Sequence, residues 1–272
     1  MISQKIHLYT ICWNEIDMLP HFFKYYDKIV DRYVVFDDGS NDGSIELLKK
    51  HPKVEIRKLE RKGNDSYILA AQNIHENCWK ESINKADWVI ITAIDEFLHR
   101  PFLYWYLLWC KMKKITAIPA LGYQMISNNC PKSNKLIFKQ IKSGCAFSKM
   151  NKLSIFNPNK ITATNQKPGR HMATPQGEVT YPKRDTLKNL HFKYINFETT
   201  FKRNCELNKK LGNTDKENQW GHQYAWQKNE LQEQWNHFMS LSVPNIFNIP
   251  YESLKEHTPT PERWWNNKLN FI

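Results

Sequence analysis

The sequence predicts an α/β protein with a mostly parallel, Rossmann-like sheet flanked by helices, followed by a helical carboxyl-terminal extension. Across residues 6–98, short apolar runs rich in β-branched residues alternate with segments whose apolar residues recur at helical spacing. Such runs are typical of strands buried on both faces, and the β-α-β-α order favours parallel strands joined by right-handed crossovers. We expect a first domain over residues 1–196 and the extension over residues 197–272.

Each predicted element rests on its apolar spacing and on the residues that flank it. Pro20 is tolerable in the first turn of the first helix, and the end of the polar segment 37–44 can cap the second. The predicted strands span 6–11, 33–36, 54–59 and 88–91, and the helices between them span 19–26, 45–50 and 66–84. Later elements are a helix at 101–113, strands at 115–127, 153–156 and 187–194, loops at 128–143 and 169–184, and helices over 198–238 with one break near 212–214.

The composition limits the possible partners and locations. The chain has 272 residues, 41% of them hydrophobic, and a formal net charge of +12. The basic surplus suits an anionic partner, such as a phosphorylated donor or an anionic membrane surface, but no basic stripe predicts a nucleic-acid partner. No apolar stretch can span a bilayer and no signal peptide is expected, which favours a cytoplasmic protein with peripheral contact to the inner face of a membrane. Six scattered cysteines are expected to be reduced thiols.

An acidic pair, Asp95 and Glu96, follows the apolar run Trp88–Ile91. Strand ends of this kind face ligand crevices in open α/β sheets. Adjacent carboxylates repel each other unless a cation or a shared proton lies between them, and their hard oxygens suit Mg²⁺ or Mn²⁺. The alternative is a capped turn with two solvated acids.

Three acidic turns follow strands that we expect to be neighbours, and they are Asn14-Glu15, Asp37-Asp38 and Asp95-Glu96. Carboxylates can accept hydrogen bonds from a nucleobase or a ribose, and a cation can join them to a diphosphate. The three turns together therefore predict a nucleotide site. The alternative for the second turn is Asx-turn and helix-cap chemistry.

The lettering of these turns resembles the GT-A glycosyltransferases of the family 2 type. The matching segments are C-W-N-E at 12–15, V-V-F-D-D-G-S-N-D-G-S at 34–44 and A-D-W-V-I-I-T-A-I-D-E-F-L at 86–98. They are most similar to the branch whose acidic motif reads D-x-D-E-F. The segment N-L-H-F-K-Y at 189–194, followed by Glu198 and Arg203, resembles the H-Y-K element of that branch, so the matches span residues 6–205.

The resemblance implies a nucleoside diphosphate sugar as donor and Mn²⁺ or Mg²⁺ as cofactor. It implies a nucleotide pocket lined by Asn14, Glu15, Asp37, Asp38 and Ser40, with Asp37 holding the base. Asp95 would bind the metal, and His191 would be a second metal ligand or a diphosphate contact.

Two positions depart from the pattern of that branch. The first acid of the motif is replaced by Ala93, so that D-x-D-E reads A-I-D-E. That acid normally helps to hold the ribose and the hydrated metal, so its loss weakens the expected metal affinity and activity unless Glu96 compensates. Gln72 stands where many relatives carry Arg, and its amide can hydrogen-bond a phosphate but lacks the charge.

Two histidines are further candidates. His191 and Lys193 share one face of a strand, which suits an anionic diphosphate, although a lone strand histidine can also be structural. His171 lies in the 169–184 loop, where it could contact the acceptor or the leaving phosphate, or stay exposed.

The sequence thus predicts a glycosyltransferase that moves a sugar to a hydroxyl of a glycan or glycolipid, with Asp95, Glu96 and His171 as candidate catalytic residues. The resemblance favours an inverting reaction, whose base could be Glu178, Asp185 or His171. A weakened or inactive homologue that binds a nucleotide sugar or a glycan is the alternative, motivated by Ala93. We also expect Phe102, Tyr104, Tyr106 and Trp109 to serve as packing residues.

Overall fold

The fold of the computed structural model is built on a nine-stranded sheet within the described residues, which are 3–61, 65–256 and 263–265. The strands are β1 (Ile6–Cys12), β2 (Arg32–Asp37), β3 (Val54–Lys58), β4 (Trp88–Ile91), β5 (Glu96–His99), β6 (Ala117–Ser127), β7 (Gly144–Ala146), β8 (Lys152–Phe156), β9 (Ile161–Ala163), β10 (Gln176–Gly177) and β11 (Lys188–Ile195). β9 and β10 form a separate two-stranded sheet.

The helices flank the sheet and then continue beyond it. They are α1 (Leu19–Tyr26), α2 (Ser44–Lys49), α3 (Tyr67–Asn77), α4 (Leu103–Met112), α5 (Ile137–Gln140), α6 (Phe197–Lys210), α7 (Asn213–Glu217) and α8 (Lys228–Leu241). No helix in the described ranges is both long and apolar enough to cross a membrane.

The strand order in the sheet is β3-β2-β1-β4-β8-β6-β11-β5, with β7 paired to β6. The first four strands are mutually parallel, and β11 is parallel to β6. β8 runs antiparallel to both β4 and β6, and β5 runs antiparallel to β11. The predicted α/β class is therefore confirmed, with parallel pairing concentrated in the amino-terminal half.

The register brings the three acidic turns to one edge of the sheet. Cys12 at the end of β1 pairs with Asp37 at the end of β2, and Tyr9 of β1 pairs with Ile91 at the end of β4. Since parallel strands end at the same edge, the turns that follow them are neighbours, as predicted.

Apolar spacing explains how α1 and α4 pack on the same face of the sheet. α1 carries proline in its first turn and buries its predicted apolar residues. α4 buries Leu103, Leu107 and Cys110 in the same core cluster. The packing prediction was wrong for Phe102 and Trp109, because both point away from the sheet and are exposed.

Four predicted segments differ in detail from the structure. The helix predicted over 66–84 ends at Asn77 and continues as a 3₁₀ turn, Cys78–Ser82. The predicted loops at 128–143 and 169–184 contain α5 and β10. The carboxyl-terminal helices are interrupted twice rather than once, because Gln219 and Gly221 adopt positive φ angles of 57° and 71° and end the helical path after α7.

The domain division at residue 196 stays a prediction.

Candidate functional site

The loops that follow β1 and β2 are locked to each other by side chains. Asn14, held at φ 51°, donates from its amide nitrogen to Asn41 Oδ1 (3.0 Å) and accepts from the Asn41 backbone N–H (2.8 Å). The Asn14 N–H donates to Ser40 Oγ (2.9 Å), and the Glu15 N–H donates to Ser44 Oγ (2.8 Å). These bonds hold the turns after β1 and β2 in fixed positions relative to each other.

Asp37 stabilises the turn that follows β2. Its carboxylate accepts from the backbone N–H groups of Gly39 (2.8 Å) and Ser40 (3.1 Å) and from the Ser40 hydroxyl (2.5 Å). This is the Asx-turn chemistry that was the alternative for this residue. Its contact with a nucleobase stays a prediction.

Asp38 is neutralised by two cations. Its carboxylate contacts Arg61 Nη2 at 3.0 Å and Lys210 Nζ at 2.7 Å, and the ammonium of Lys210 also donates to the Asp38 carbonyl. Lys210 is the last residue of α6, so this ion pair ties the carboxyl-terminal helices to the end of β2. Arg61 and Lys210 were not identified from the sequence.

α6 places a second cation over the turn that follows β1. Arg203 Nη2 donates to the Trp13 carbonyl (2.5 Å) and to Glu15 Oε1 (2.7 Å), and its guanidinium lies 4.7 Å from the centre of the Trp13 ring. Lys210 lies 4.4 Å from the same ring. The i, i+7 spacing of Arg203 and Lys210 puts both on one face of the helix, which is a signal that the sequence did contain.

Two tyrosines stand beside these charges. Tyr67 is the first residue of α3, and Tyr224 lies in the 3₁₀ turn His222–Ala225. Burial, and then the negative charge of Asp95, raises the pKa of Tyr224. Lys193 Nζ lies 4.5 Å from the Tyr224 ring centre, and burial lowers the pKa of this lysine to about 8. Tyr67, Tyr224, Lys193 and Arg203 thus form a group that is both aromatic and cationic, and we call this group the wall.

Asp95 faces His191 across the sheet. The carboxylate lies in the turn between β4 and β5, and its Oδ2 is 3.3 Å from His191 Nε2. The neighbouring backbone is fixed, because the Phe192 N–H donates to the Asp95 carbonyl at 2.9 Å. Burial alone would raise the pKa of Asp95, but the His191 ring holds it below its usual value.

A buried amide selects the tautomer of the neutral His191 ring. Gln124 donates from Nε2 to the carbonyls of Met125 and His191, both at 2.9 Å, so its Oε1 can only accept. That oxygen is 2.8 Å from His191 Nδ1, which must therefore carry a hydrogen. In a neutral ring the lone pair of Nε2 then points at the Asp95 carboxylate, and two acceptors repel unless a proton or a metal cation lies between them.

Glu96 has a different environment from Asp95. It is buried, and its carboxylate contacts Lys152 Nζ at 2.6 Å and Arg170 Nη2 at 2.7 Å. Arg170 also donates to the Ile91 carbonyl (2.6 Å) from a backbone with φ 61°. Burial would raise the pKa of Glu96, but Lys152 and then Arg170 hold it well below its usual range. The structure gives Glu96 the position of a buried ion-pair residue, and its catalytic role stays a prediction.

Ala93 lies next to this buried group, with its backbone nitrogen 3.5 Å from Glu96 Oε2.

The Gln72 side-chain amide donates to the Gln166 carbonyl (3.0 Å), so its amide nitrogen already has a partner within the protein. The diphosphate role of Gln72 stays a prediction.

The three candidate bases lie in different places. Glu178 pairs with Lys160 at 2.9 Å, and its carbonyl accepts from Thr116 (2.6 Å) just before β6, at the sheet edge opposite Asp95. Asp185 pairs with Arg263 at 2.5 Å, shortly before β11. His171 follows Arg170, which contacts Glu96, and its Nδ1 contacts the Lys149 carbonyl. Burial and the charge of Lys152 lower the pKa of His171 to about 4, and the charge of Glu96 also acts on this ring, so His171 lies on the Glu96 side of the acidic pair.

Within the described ranges, no group of three or more His, Cys, Asp and Glu side chains could hold a metal ion. Asp95 and His191 do fit two adjacent ligands of an octahedral ion, because ligands about 2.1 Å from the metal at right angles lie about 3 Å apart. Mg²⁺ and Mn²⁺ commonly take one or two protein ligands and complete their coordination with substrate phosphates.

Comparisons with known proteins give structural likenesses only. No family model matches the sequence, and neither does any curated protein. The crystal structure of S. aureus TarS 1–349 is similar with a TM-score of 0.41 and 10% identity, over 76% of this chain and 65% of that chain. TarS 1–349 in complex with UDP gives a TM-score of 0.36 and 12% identity, over 57% of this chain and 47% of that chain. This chain thus covers less than two thirds of either structure, and similarity this low does not establish a common function.

Proposed function

We propose that the chain is a glycosyltransferase that moves a sugar from a nucleoside diphosphate sugar to a hydroxyl of a glycan or glycolipid. The observation that carries the proposal is the 3.3 Å approach of Asp95 Oδ2 to His191 Nε2, with the other ring nitrogen committed to Gln124. This pair lies at the edge where the parallel strands β1, β2 and β4 end, and α/β proteins bind nucleotides at such edges.

In this proposal Asp95 and His191 hold Mn²⁺ or Mg²⁺ together with the donor diphosphate. The metal supplies charge stabilisation for the leaving diphosphate when it is bound. Lys193 and Arg203 add fixed positive charge from the opposite wall, and their partial burial strengthens their attraction for the phosphates. Gln72 would add a neutral hydrogen bond.

The nucleoside would lie between the turns that follow β1 and β2 and the wall of aromatic and cationic residues. Tyr67 and Tyr224 offer rings on which a base can stack, because every base has a π face. Asn14 and Glu15 would contact the nucleotide beside them. Asp37 would contact the nucleobase, and Asp38 and Ser40 would line the nucleotide pocket beside it. These roles require the turn after β2 to keep the hydrogen bonds that Asp37 accepts from Gly39 and Ser40.

For the chemical step we propose an inverting displacement with His171 as the base, because it is the candidate whose ring lies among the charges of Glu96 and Lys152. A base has to take the acceptor proton as the sugar is transferred. Glu178 and Asp185 are held elsewhere by Lys160 and Arg263.

The second candidate function is that of a weakened or inactive homologue that binds a nucleotide sugar or a glycan. Ala93 favours it, because the position beside Glu96 lacks the carboxylate that the D-x-D-E pattern would supply. A homologue that binds a nucleotide sugar would differ from the enzyme only in turnover, and one that binds a glycan would also lack donor binding.

Thermal unfolding with a panel of nucleoside diphosphate sugars, with and without Mn²⁺, tests donor binding. We expect one donor to raise the melting temperature, more so with Mn²⁺, and Asp95→Asn to remove the Mn²⁺-dependent part. Hydrolysis of that donor by the wild type would favour the enzyme, and binding without turnover would favour the second candidate. If no donor shifts the melting temperature, the transferase and the nucleotide-sugar-binding homologue are both wrong, and the same measurement with a panel of glycans then tests the glycan-binding homologue.

A further inference from the structure

α4 carries an exposed apolar stripe that the core does not use. The stripe consists of Phe102 immediately before α4, Trp105, Trp109 and Met112, which are 81%, 64%, 44% and 59% exposed. Their spacing of three, four and three residues puts them on one side of the helix. Most large exposed apolar side chains in the described ranges belong to this stripe, since only Ile83, Met172 and Met239 lie elsewhere.

The stripe is not a consequence of incomplete packing. The opposite side of α4 is fully engaged, because Leu103, Leu107 and Cys110 are buried in the main core cluster. α4 therefore has two apolar sides, and one of them faces solvent. Contiguous exposed apolar surface of this kind marks an interaction site in a protein that must stay soluble.

Lysines lie near both ends of the stripe. Lys113 and Lys114 are exposed directly after Met112. A groove nearby is lined by Lys24, Lys28, Lys132, Asn134, Lys135, Leu136, Lys139 and Gln140, with no acidic residue among them.

The groove and the stripe are joined through one aromatic side chain. Phe138 of α5 lies 5.4 Å from the Tyr25 ring of α1 and 4.6 Å from the His99 ring, measured between ring centres. His99 is three residues before Phe102, so the lysines of the groove flank the start of the stripe. The stripe and the groove are therefore neighbours, and together they make up one face of the protein, with aromatic residues in one part and lysines in the other.

We propose that this face docks on the surface of an anionic lipid bilayer. Trp and Phe are the side chains that enter the boundary between headgroups and acyl chains, and lysines beside them attract anionic headgroups. A protein partner would need a matching acidic surface with a groove for the helix, whereas a bilayer accepts a convex stripe without one. The proposal does not depend on the proposed transferase activity.

The docked orientation follows from the contacts of α4. Lys111, near its end, pairs at 2.6 Å with Asp87, which directly precedes β4. Asp95 lies beyond the other end of β4, so the docked protein would hold its candidate site away from the bilayer and open to a soluble donor.

Flotation with vesicles tests the docking. We expect the full chain to float with vesicles of phosphatidylcholine and phosphatidylglycerol, and to bind phosphatidylcholine alone at least about tenfold more weakly, with binding that falls as salt rises. Trp105→Ser with Trp109→Ser should lower the partition coefficient at least about tenfold, since two indoles no longer leave water.

Matched variants separate the stripe from general hydrophobicity and from the charges. Met112→Ser should weaken vesicle binding several-fold, whereas Met239→Ser on α8, 43% exposed in the wild type, should not change it. Lys132→Gln with Lys135→Gln should weaken binding about tenfold on anionic vesicles only.

Three outcomes would overturn the proposal. They are no flotation of the wild type, equal binding to both vesicle types, and equal losses for Met112→Ser and Met239→Ser. A stable dimer that Trp105→Ser separates, in sedimentation without vesicles, would assign the stripe to a second copy of this chain instead.

Discussion

Asp95 and Glu96 are adjacent in the chain and have the same functional group, yet they lie in opposite environments. The Asp95 side chain is 27% exposed and faces one histidine, whereas the Glu96 side chain is 3% exposed and is held between two cations. The charge of Glu96 is satisfied within the protein, while that of Asp95 is only partly satisfied. The ion-pair partners of each carboxylate, and not its position in the sequence, therefore decide whether the residue stabilises the fold or is available to a ligand.

The largest effect is expected for Glu96→Gln. It leaves Lys152 and Arg170 buried without their counter-charge, which should lower the free energy of unfolding by about 3 kcal/mol or more. Chemical denaturation measures this loss. Glu55→Gln is the matched control, because Glu55 pairs with Arg32 and Arg57 at a site with 44% side-chain exposure and should cost less than about 1 kcal/mol. Similar losses for the two variants would mean that the buried group does not stabilise the fold.

The same residue predicts a pH dependence of stability. The pKa of Glu96 is lower in the folded state than its ordinary value of 4.5. The ionised form is therefore favoured by folding, so its contribution is complete above about pH 4.5 and is lost as pH falls further. Unfolding curves between pH 7 and about pH 3 should show a shallower loss in Glu96→Gln than in the wild type. Parallel curves would contradict the assignment.

Asp95→Asn should have the opposite profile. The fold should keep its stability to within about 1 kcal/mol, because the side chain is partly exposed and stands at a turn. Affinity for Mn²⁺ in the presence of a nucleoside diphosphate should fall at least about a hundredfold, since a ligand is removed. Calorimetric titration measures the Mn²⁺ affinity, and Asp42→Asn, in the turn that follows β2, is the control. Unchanged Mn²⁺ affinity would remove Asp95 from the metal site.

The contrast between the two acids marks the limit of what the sequence predicts. The longer strands and the shared edge were predictable, because apolar runs and turn residues encode them locally, whereas the short strands β5, β7, β9 and β10 were not predicted. The partners of Glu96 were not, since Lys152 and Arg170 are 56 and 74 residues away and Arg170 lies in a left-handed backbone that no local pattern signals.

Gln124 shows the same limit at the site. It lies in a predicted strand, but its bonds to His191 depend on the parallel pairing of β6 and β11.

The exposed side of α4 was also not predicted, because a helix with apolar residues on two faces is expected to be buried on both. Residues 257–262 and 266–272, including the end of the predicted extension, lie outside the described residues.

Gln124→Met tests whether Asp95 and His191 form a metal site. It removes the acceptor for His191 Nδ1 while keeping a similar volume, so the ring is free to adopt the tautomer whose Nε2 carries hydrogen. Metal-dependent nucleotide affinity should fall about tenfold to a hundredfold. Nucleotide affinity without metal should be unchanged, and this second measurement separates lost positioning from a disturbed fold. Equal losses with and without metal would give Gln124 a purely structural role.

The smallest effect is expected for Ala93→Asp, which adds a third carboxylate on the boundary between the two acids. Because the Ala93 N–H lies 3.5 Å from Glu96 Oε2, the new side chain begins beside a charge that Lys152 and Arg170 already balance. If it turns toward Asp95, it adds an oxygen ligand, and Mn²⁺ affinity without nucleotide should rise several-fold, with less dependence on the donor phosphates. If it turns toward Glu96, repulsion raises a carboxyl pKa and only stability falls.

Paired Mn²⁺ titrations of the wild type and Ala93→Asp, with and without a nucleoside diphosphate, distinguish the two directions, and Ala93→Asn controls for size without charge. We expect the gain with Asp alone, because Asp95 is the acid whose charge is only partly satisfied. Equal metal affinity in all three proteins would show that position 93 does not face the metal. The acidic motif would then be matched in the wrong register, and the contrast between Asp95 and Glu96 would have to be explained by stability alone.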